Sequence, residues 1–326
     1  MVKRYLITGG TGFLGRSLVR ALLARGDAVR VLDTDTRGKI GMLEDVRQDF
    51  EFIRADVRDG TAVECACAGI DVVCHLAFIA GTGSFYSAPD SVLEVGVKGM
   101  TNVLDGCLKH GVPELLLTSS AEVYHDPPRV PSDESVPLTI PDVFNARYSY
   151  AGSKIISELL AINYGRRHFR KVAIVRPHNI FGPGMNRDHV IPQLIERLET
   201  ARRATGSVTP VPLKIQGSGN ETRSYLYVDD YTRAALSVLD HGEHLGLYHI
   251  GSMEERSTRQ LALEIASCIN IDIAIEPGPL QPGSTMRRCP DTSRLAQLRF
   301  APEVTFRDGL RRTVEWHIAA LIDDRA

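Results

Sequence analysis

The chain has 326 residues, 43% of them hydrophobic and 24% charged, which is an ordinary composition for a globular protein. Its net charge of −2 gives no basic surface for nucleic acid. It also contains no apolar run of the roughly eighteen residues that a membrane helix needs. The first residues already have the pattern of a strand, so we expect no secretion signal. Six scattered cysteines lack the spacing of a disulfide framework or a zinc site. We therefore predict a cytoplasmic protein without a metal site.

The N-terminal segment predicts a nucleotide-binding turn between a strand and a helix. An apolar run at residues 4–8 leads into the sequence GGTGFLG, and helical apolar spacing follows over residues 12–25. Glycines at this position let backbone N–H groups approach a pyrophosphate, and the helix N-terminus faces its charge. The residues that we expect to bind a dinucleotide here are Gly9, Gly12, Phe13, Leu14 and Gly15.

The second predicted strand ends in Asp33, about twenty residues beyond the glycines. A carboxylate there binds the adenosine ribose hydroxyls and repels the 2′-phosphate of NADP, so NAD is the favoured cofactor. Arg37 is the opposing signal, because a guanidinium nearby could receive that phosphate. The third predicted strand is followed by Asp56 and Val57. Asp56 either faces the adenine or ends the strand in solvent.

Strand-like and helix-like segments alternate as far as residue 176, which predicts a parallel sheet with helices on both faces. We predict a Rossmann-type doubly wound α/β domain over residues 1–176. A smaller C-terminal α/β substrate-binding lobe would cover residues 177–326, with segments at about 222–250 returning to the first domain. A proline-rich loop is predicted at 126–145. The predicted strands are 4–8, 28–33, 51–55, 71–76, 114–119 and 171–176, and the predicted helices include 12–25, 91–110 and 150–168.

Tyr150 and Lys154 are one helical turn apart, so their side chains share a helix face. An ammonium group beside a phenol, with an oxidised nicotinamide nearby, favours the phenolate and lowers the pKa of the tyrosine. The phenolate can then take the proton of a substrate alcohol as hydride leaves its carbon. A buried strand ends close to Ser120, at the sheet edge where ligands of open α/β folds bind. Ser120 either hydrogen-bonds the reacting oxygen or only terminates the strand.

A set of motifs occurs in order over nearly the whole chain: GGTGFLG, His75-Leu76-Ala77, SSAEVY, YxxxK, RPHNIFGP beginning at Arg176, and Arg223 before YVDD. In this set the chain resembles the extended short-chain dehydrogenases/reductases of the NAD-dependent nucleotide-sugar epimerase/dehydratase family. The resemblance implies tightly bound NAD and a nucleotide-diphosphate sugar as substrate. It also implies Ser120 and Tyr150 at the sugar C4 hydroxyl and Lys154 on the nicotinamide ribose. Further contacts are implied for Leu76, Ala77 and Pro177 with the cofactor, and for Asn179, Arg223 and Arg287 or Arg288 with the substrate diphosphate.

Several residues depart from the pattern of that family. Gly96 lies where many relatives carry an asparagine, and Gln281 lies where many carry an arginine. His125 follows Tyr124, where a glycine is usual. It either reaches the sugar pocket or is a loop residue without a role.

Glu122 lies where the dehydratases and decarboxylases of the family carry a glutamate that acts at C5. Dehydratases usually place an aspartate before it to protonate the leaving C6 hydroxyl, whereas this chain has Ala121. We therefore predict C4 epimerisation of an NDP-hexose. The alternative is a dehydratase, C5-epimerase or decarboxylase that uses Glu122. A non-catalytic NAD sensor is a remote alternative, because Tyr150 and Lys154 are both present.

The sequence also predicts a homodimer. The helix that carries Tyr150 has more apolar positions than one core-facing stripe requires, and relatives pair through this helix and the one at 91–110. The alternative is that both helices lie wholly within the core of one subunit. The apolar positions in question are Ile155, Ile156, Leu159, Leu160 and Ile162.

Overall fold

The structure, a computed structural model, describes residues 2–206, 209–280 and 283–323. Its strands are β1 (Arg4–Thr8), β2 (Ala28–Asp33), β3 (Phe50–Arg54), β4 (Val72–His75), β5 (Glu114–Thr118), β6 (Lys171–Pro177), β7 (Ile180–Phe181), β8 (Val211–Lys214), β9 (Thr222–Ser224), β10 (Leu226–Tyr227), β11 (Gly246–Ile250), β12 (Glu255–Ser257), β13 (Ile273–Glu276) and β14 (Arg287–Arg288). Its α-helices are α1 (Phe13–Ala24), α2 (Gly60–Cys67), α3 (Thr82–Ser87), α4 (Pro89–Leu93), α5 (Gly99–His110), α6 (Tyr148–His168), α7 (Val190–Thr205), α8 (Val228–His241), α9 (Thr258–Cys268), α10 (Ser293–Ala296) and α11 (Phe306–Asp323). Gln281, which the sequence analysis singled out, lies outside the described residues.

Seven strands form a central parallel sheet in the order β11-β6-β5-β4-β1-β2-β3. The chain order reverses between β1 and β4, and ligands of open doubly wound sheets bind outside the carboxyl ends of the strands at such a point. The predicted Rossmann-type α/β fold is thereby confirmed. Each of the six predicted strands is present, with ends that differ by at most one residue. The strand β11 belongs to this sheet although it follows residue 177 in the chain.

Two hydrophobic cores cover the two faces of the sheet, because successive side chains of a strand point to opposite faces. In β1, Tyr5 and Ile7 belong to one core and Leu6 belongs to the other. Residues of α1 and α8 complete the first core, and residues of α2 and α5 complete the second. The strands between them are apolar on both faces, and β4 and β5 are buried along their whole length.

A third hydrophobic core lies in the later part of the chain. It is formed by α7, α9 and α11 together with β8, which pairs in parallel with β13. The strand β9 lies between β12 and β14. This small sheet places Arg223 and Arg288 side by side in neighbouring strands, and Arg288 reaches the segment that follows β5.

The helix predicted at 91–110 is less regular than expected. It begins at Pro89 as α4, passes through a π-helical turn at Glu94–Lys98 and continues as α5. Gly96 lies in that turn, where a Cβ atom would come within 2.5 Å of Ser153 Cβ on α6. Glycine therefore allows the two helices to approach closely. Within the described residues, we find no helix with the length and apolarity needed to cross a bilayer.

Candidate active site

The glycine turn between β1 and α1 has the geometry of a pyrophosphate site. Gly9 has φ +75, and a Cβ there would lie 2.7 Å from the backbone nitrogen of Ala77. A Cβ on Gly15 would lie 2.2 Å from the Gly9 carbonyl oxygen. Phe13 and Leu14 begin α1, whose first turn carries no acidic side chain among the described residues. Their N–H groups lack intrahelical acceptors, and the positive helix end faces the turn.

The acid at the end of β2 is held in a fixed orientation. One carboxylate oxygen of Asp33 accepts from the backbone N–H of Thr11 at 3.0 Å, and the other accepts from that of Asp35 at 2.9 Å. Each oxygen keeps lone pairs that can accept from ribose hydroxyls. At the end of β3, Asp56 instead pairs with Arg58, which lowers the pKa of that carboxyl, and Val57 is buried.

Arg37 bridges three loops at the carboxyl edge of the sheet. Its guanidinium donates to the Ala80 carbonyl at 2.5 Å, to Ser84 Oγ at 2.6 Å and to Asp188 at 3.4 Å. We call this set of contacts the Arg37 bridge. The segment that follows β2 is thereby tied to the segments that follow β4 and β7, and the Arg37 guanidinium is already engaged with protein acceptors.

The remaining residues expected at the cofactor lie along the same edge. Leu76 and Ala77 follow β4, and their backbone N–H groups donate to the Thr8 carbonyl at 3.0 Å and to Thr8 Oγ1 at 3.4 Å. Pro177 ends β6. The residues present therefore fit a dinucleotide that runs from β2 across β1 toward β5.

Ser120, Tyr150 and Lys154 come together where β5 ends and α6 begins. Lys154 is 2% exposed, and its Nζ donates to the Thr118 carbonyl at 2.5 Å. That Nζ lies 5.7 Å from the centroid of the Tyr150 ring. Burial lowers the pKa of Lys154, and it raises the pKa of Tyr150 to about 12 although the Ser120 hydroxyl acts in the opposite direction. The lowered tyrosine pKa that the sequence led us to expect applies to the site with an oxidised nicotinamide beside the ring, and it stays a prediction.

Two aromatic residues that the sequence analysis did not single out surround this group. Phe85 stacks on Tyr150, with ring centroids 4.8 Å apart and an interplanar angle of 15°. The centroid of the Phe78 ring lies 3.0 Å from Lys154 Nζ. Both phenylalanines belong to the segment that follows β4. Only the fold brings that segment close to α6, so the sequence pattern does not indicate this contact.

A cluster of arginines surrounds Glu122, two residues beyond Ser120. Arg288 donates to one oxygen of Glu122 at 2.5 Å, and Arg147 lies 3.7 Å from the other. Burial would raise the pKa of Glu122, but Arg288 and then Arg147 lower it to about 2. Burial, followed by the neighbouring Arg288, lowers the pKa of Arg223 to about 10. We call Glu122, Arg147, Arg223 and Arg288 the arginine pocket.

Only one of the two arginines expected in the late segment points into this pocket. Arg288 is 6% exposed on its side chain, and among the described residues no acceptor lies within hydrogen-bond distance of its Nε. Arg287 is 52% exposed and pairs with Glu255. Asn179, at φ 42, donates from its side-chain amide to the Ser224 carbonyl at 2.9 Å. Arg147 was missed at the sequence level, although its position three residues before Tyr150 was a usable signal.

A buried polar network fixes the helix that carries Lys154. Arg176 donates to both carboxylate oxygens of Glu158, at 2.8 and 2.6 Å, and also to the hydroxyl of Tyr124. That hydroxyl lies 2.5 Å from His249 Nε2. Glu158 is one helical turn beyond Lys154, so the network holds α6 against β6 and β11 at the level of the ammonium group.

Comparison with known proteins agrees with this geometry. Residues 5–251 match the model of the NAD dependent epimerase/dehydratase family. The chain belongs to this family. Its cofactor is NAD, as the sequence predicted, and the predicted family is likewise confirmed.

Similar proteins in the family carry out several reactions. The chain is 31% identical to a dTDP-glucose 4,6-dehydratase of Streptomyces niveus, over 96% of this chain and 92% of that protein. It is also 31% identical to UDP-glucuronic acid decarboxylase 1 of Arabidopsis thaliana, over 95% of this chain and 69% of that protein. The structure of Thermus thermophilus UDP-glucose 4-epimerase in complex with NAD superimposes with a TM-score of 0.84, at 28% identity over 97% of this chain and 99% of that one.

Proposed function

We propose that this protein acts on a nucleotide-diphosphate sugar, oxidises it at C4 and then removes a C6 carboxylate, so that its substrate is an NDP-uronic acid. The observation that carries this proposal is Glu122, which is ionised between Arg288 and Arg147 and lies two residues beyond Ser120. The Arabidopsis relative is a UDP-glucuronic acid decarboxylase, and it is as similar to this chain as the Streptomyces dehydratase is.

The low pKa of Glu122 argues against the reactions that begin with removal of the C5 proton. Dehydration and C5 epimerisation both need a base there, and a base works best when its pKa is near the working pH. A carboxylate with a pKa of about 2 is a weak base. Dehydration also needs an acid for the C6 hydroxyl, and neither ionised Glu122 nor Ala121 can donate a proton. Loss of a carboxylate from a 4-keto sugar requires neither a base for the C5 proton nor an acid for a C6 hydroxyl.

The excess of positive charge in the arginine pocket supports an anionic sugar. Arg147, Arg223 and Arg288 face the single carboxylate of Glu122. An NDP-uronic acid brings a carboxylate in addition to its diphosphate, and each charge-assisted contact is worth roughly 1.5–3 kcal/mol. The buried Nε of Arg288 has no acceptor among the described residues. A substrate oxygen would satisfy that donor.

Each residue of the site has a defined role in the proposed reaction. Bound NAD supplies the hydride acceptor for C4. Tyr150 takes the proton of the C4 hydroxyl, with Ser120 hydrogen-bonding the same oxygen and Lys154 stabilising the phenolate. In the resulting 4-keto acid the C5–C6 bond breaks, its electron pair passes toward the C4 oxygen, and CO₂ leaves. C5 then takes a proton, and Tyr150 returns its own proton to the C4 oxygen as that carbon is reduced.

C4 epimerisation, which the sequence analysis favoured, is the second candidate. Ser120, Tyr150 and Lys154 suffice for it, because the reaction needs only reversible hydride transfer and rotation of the ketone. The Thermus structure supports it, since that protein is an epimerase. The arginine pocket has no role in the chemistry of epimerisation. Epimerisation is therefore the second candidate.

The products in deuterated water distinguish these candidates. Purified protein is incubated separately with UDP-glucuronic acid, dTDP-glucuronic acid, UDP-glucose and dTDP-glucose, while NMR follows the sugars and a trap collects CO₂. We expect CO₂ and an NDP-pentose carrying one deuterium at C5 from a uronic acid. A C4 epimer that keeps C6 and contains no deuterium would establish the second candidate. A 6-deoxy-4-keto product would establish dehydration and refute both.

Adjacent arginines provide a matched pair of variants. We expect Arg288→Ala to raise KM for the uronic acid roughly 10- to 150-fold, the equivalent of one lost charge-assisted contact. Arg287→Ala should leave KM unchanged, because that side chain is exposed to solvent and pairs with Glu255. Equal effects of the two substitutions would remove the arginine pocket from substrate binding.

A further inference from the structure

His125 has a backbone conformation that ordinarily requires glycine. Its φ is 53 and its ψ is −101. A side chain is strained there, and such strain persists where the surroundings hold the residue and where the site uses it. Here the surroundings belong to the active site, because Arg288 donates to the His125 carbonyl at 3.4 Å while its other nitrogen holds Glu122.

The imidazole of His125 is also held in place. The hydroxyl of Tyr148 lies 3.4 Å from His125 Nδ1, and the two rings meet edge to face with centroids 5.2 Å apart. Tyr148 is buried at the first residue of α6, whereas His125 is half-exposed. The imidazole therefore has one nitrogen beside a buried phenol and has access to solvent, from which it can be reprotonated.

Decarboxylation needs a proton that the groups assigned so far do not provide. The net reaction turns a carboxylate and one proton into CO₂ and a new C5–H bond. Tyr150 takes one proton and returns it to the same oxygen, so it contributes none. Glu122 is ionised, and guanidinium groups do not give up a proton in this range. A further proton donor, either a side chain or water, must therefore reach C5.

We propose that His125 is that donor, an inference that rests on the proposed decarboxylation. After the C5–C6 bond has broken, the C4–C5 enolate takes the Nε2 proton of the His125 imidazolium at C5. The enolate becomes a ketone, the imidazole becomes neutral, and solvent then reprotonates it. Tyr148 is a positioning residue that acts through the Nδ1 contact.

The charges around His125 fit this role. The charged groups that face it are Glu122, Asp126, Arg147 and Arg288. Burial, and then Arg288, lower the pKa of His125, which makes its imidazolium a stronger acid than free histidine. The carboxylates of Asp126 and Glu122 raise that pKa and so favour the protonated imidazolium.

The test uses the 326-residue chain with bound NAD and UDP-glucuronic acid in deuterated water. His125→Gly suits the backbone and should melt no lower than wild type, so lost activity cannot be assigned to misfolding. In a single turnover we expect one CO₂ per bound NAD to be released as in wild type, while formation of the pentose falls roughly 10²–10⁴-fold, the usual contribution of a positioned acid. NADH should accumulate, and deuterium should enter C5 on both faces. Free imidazole added to this variant should restore the pentose.

The conservative variants sharpen the result. His125→Gln should behave like His125→Gly but without rescue, because glutamine fills the space that imidazole needs. Tyr148→Phe should show partial loss of pentose, with CO₂ release unchanged and no imidazole rescue. His110→Gln, at an exposed histidine at the end of α5, is the matched control and should resemble wild type.

Three outcomes would overturn the proposal. If wild type releases no CO₂ from a uronic acid, the proposed function fails and this inference fails with it. If wild type is active and His125→Gly forms the pentose at the same rate with the same C5 stereochemistry, only the role of His125 is refuted. If His125→Gly also loses CO₂ release, His125 acts at binding or oxidation rather than at C5.

Discussion

Replacing Glu122 with glutamine should destabilise the protein measurably. Arg288 and Arg147 overcome burial and bring the pKa of Glu122 from 4.5 to about 2. At roughly 1.36 kcal/mol per pKa unit, that difference is worth about 3 kcal/mol in favour of the ionised form. The side chain is 30% exposed, and solvent screening reduces the expected loss on Glu122→Gln to about 2 kcal/mol at neutral pH.

The loss should depend on pH in a defined direction. The folded pKa lies below the unfolded one, so the stabilisation by Glu122 is complete above about pH 4.5 and is lost as the pH falls toward 2. Urea unfolding of wild type and Glu122→Gln at a series of pH values from neutral down to about 4 measures it. The difference should be constant at the upper values and begin to shrink near the lowest one.

A surface pair serves as the control. Glu51 is 56% exposed and contacts only Arg30 among the ion pairs of the described residues, so Glu51→Gln should cost at most about 1 kcal/mol. If Glu122→Gln costs no more than this control, or if its cost grows as the pH falls, the electrostatic description of the arginine pocket is wrong.

Three further predictions concern the cofactor, the C4 chemistry and the assembly. Asp33→Ala should weaken NAD binding and relax the discrimination against NADP, which fluorescence titration of both cofactors measures; a wild type that prefers NADP would contradict this. Tyr150→Phe should lower turnover by roughly 10²–10⁴-fold while NAD stays bound, and near-full turnover would assign the proton to another group. We propose a homodimer through α6, where Ile156 and Leu159 are 40% and 56% exposed. Light scattering at micromolar concentration should give a dimer mass for wild type and a monomer mass for Leu159→Glu, and a monomeric wild type would reject the dimer.

The sheet was predictable because its signals are local. In β5, for example, consecutive leucines between turn residues describe a strand buried on both faces. The glycine turn was also predictable from a local signal. At Gly9 and Gly15, nearby backbone atoms leave no room for a Cβ atom, so both positions require glycine.

The composition of the site was harder to predict, because its members meet only through the fold. Arg147 immediately precedes α6, Arg223 lies in β9 and Arg288 lies in β14, and no spacing in the chain indicates that they face one carboxylate. The YxxxK pattern places a cation near the ring of Tyr150 but says nothing about its burial.

The Arg37 bridge bears on how long one cofactor molecule stays with the protein. In the sheet, β1 lies between β4 and β2, so Arg37 joins the two loops that flank the glycine turn of β1. A dinucleotide bound at that turn would lie between two loops that Arg37 ties together. A reaction that hands its hydride back to the same sugar consumes no cofactor. Such a protein can keep its dinucleotide through many cycles as a permanent part, independent of the free pool around it.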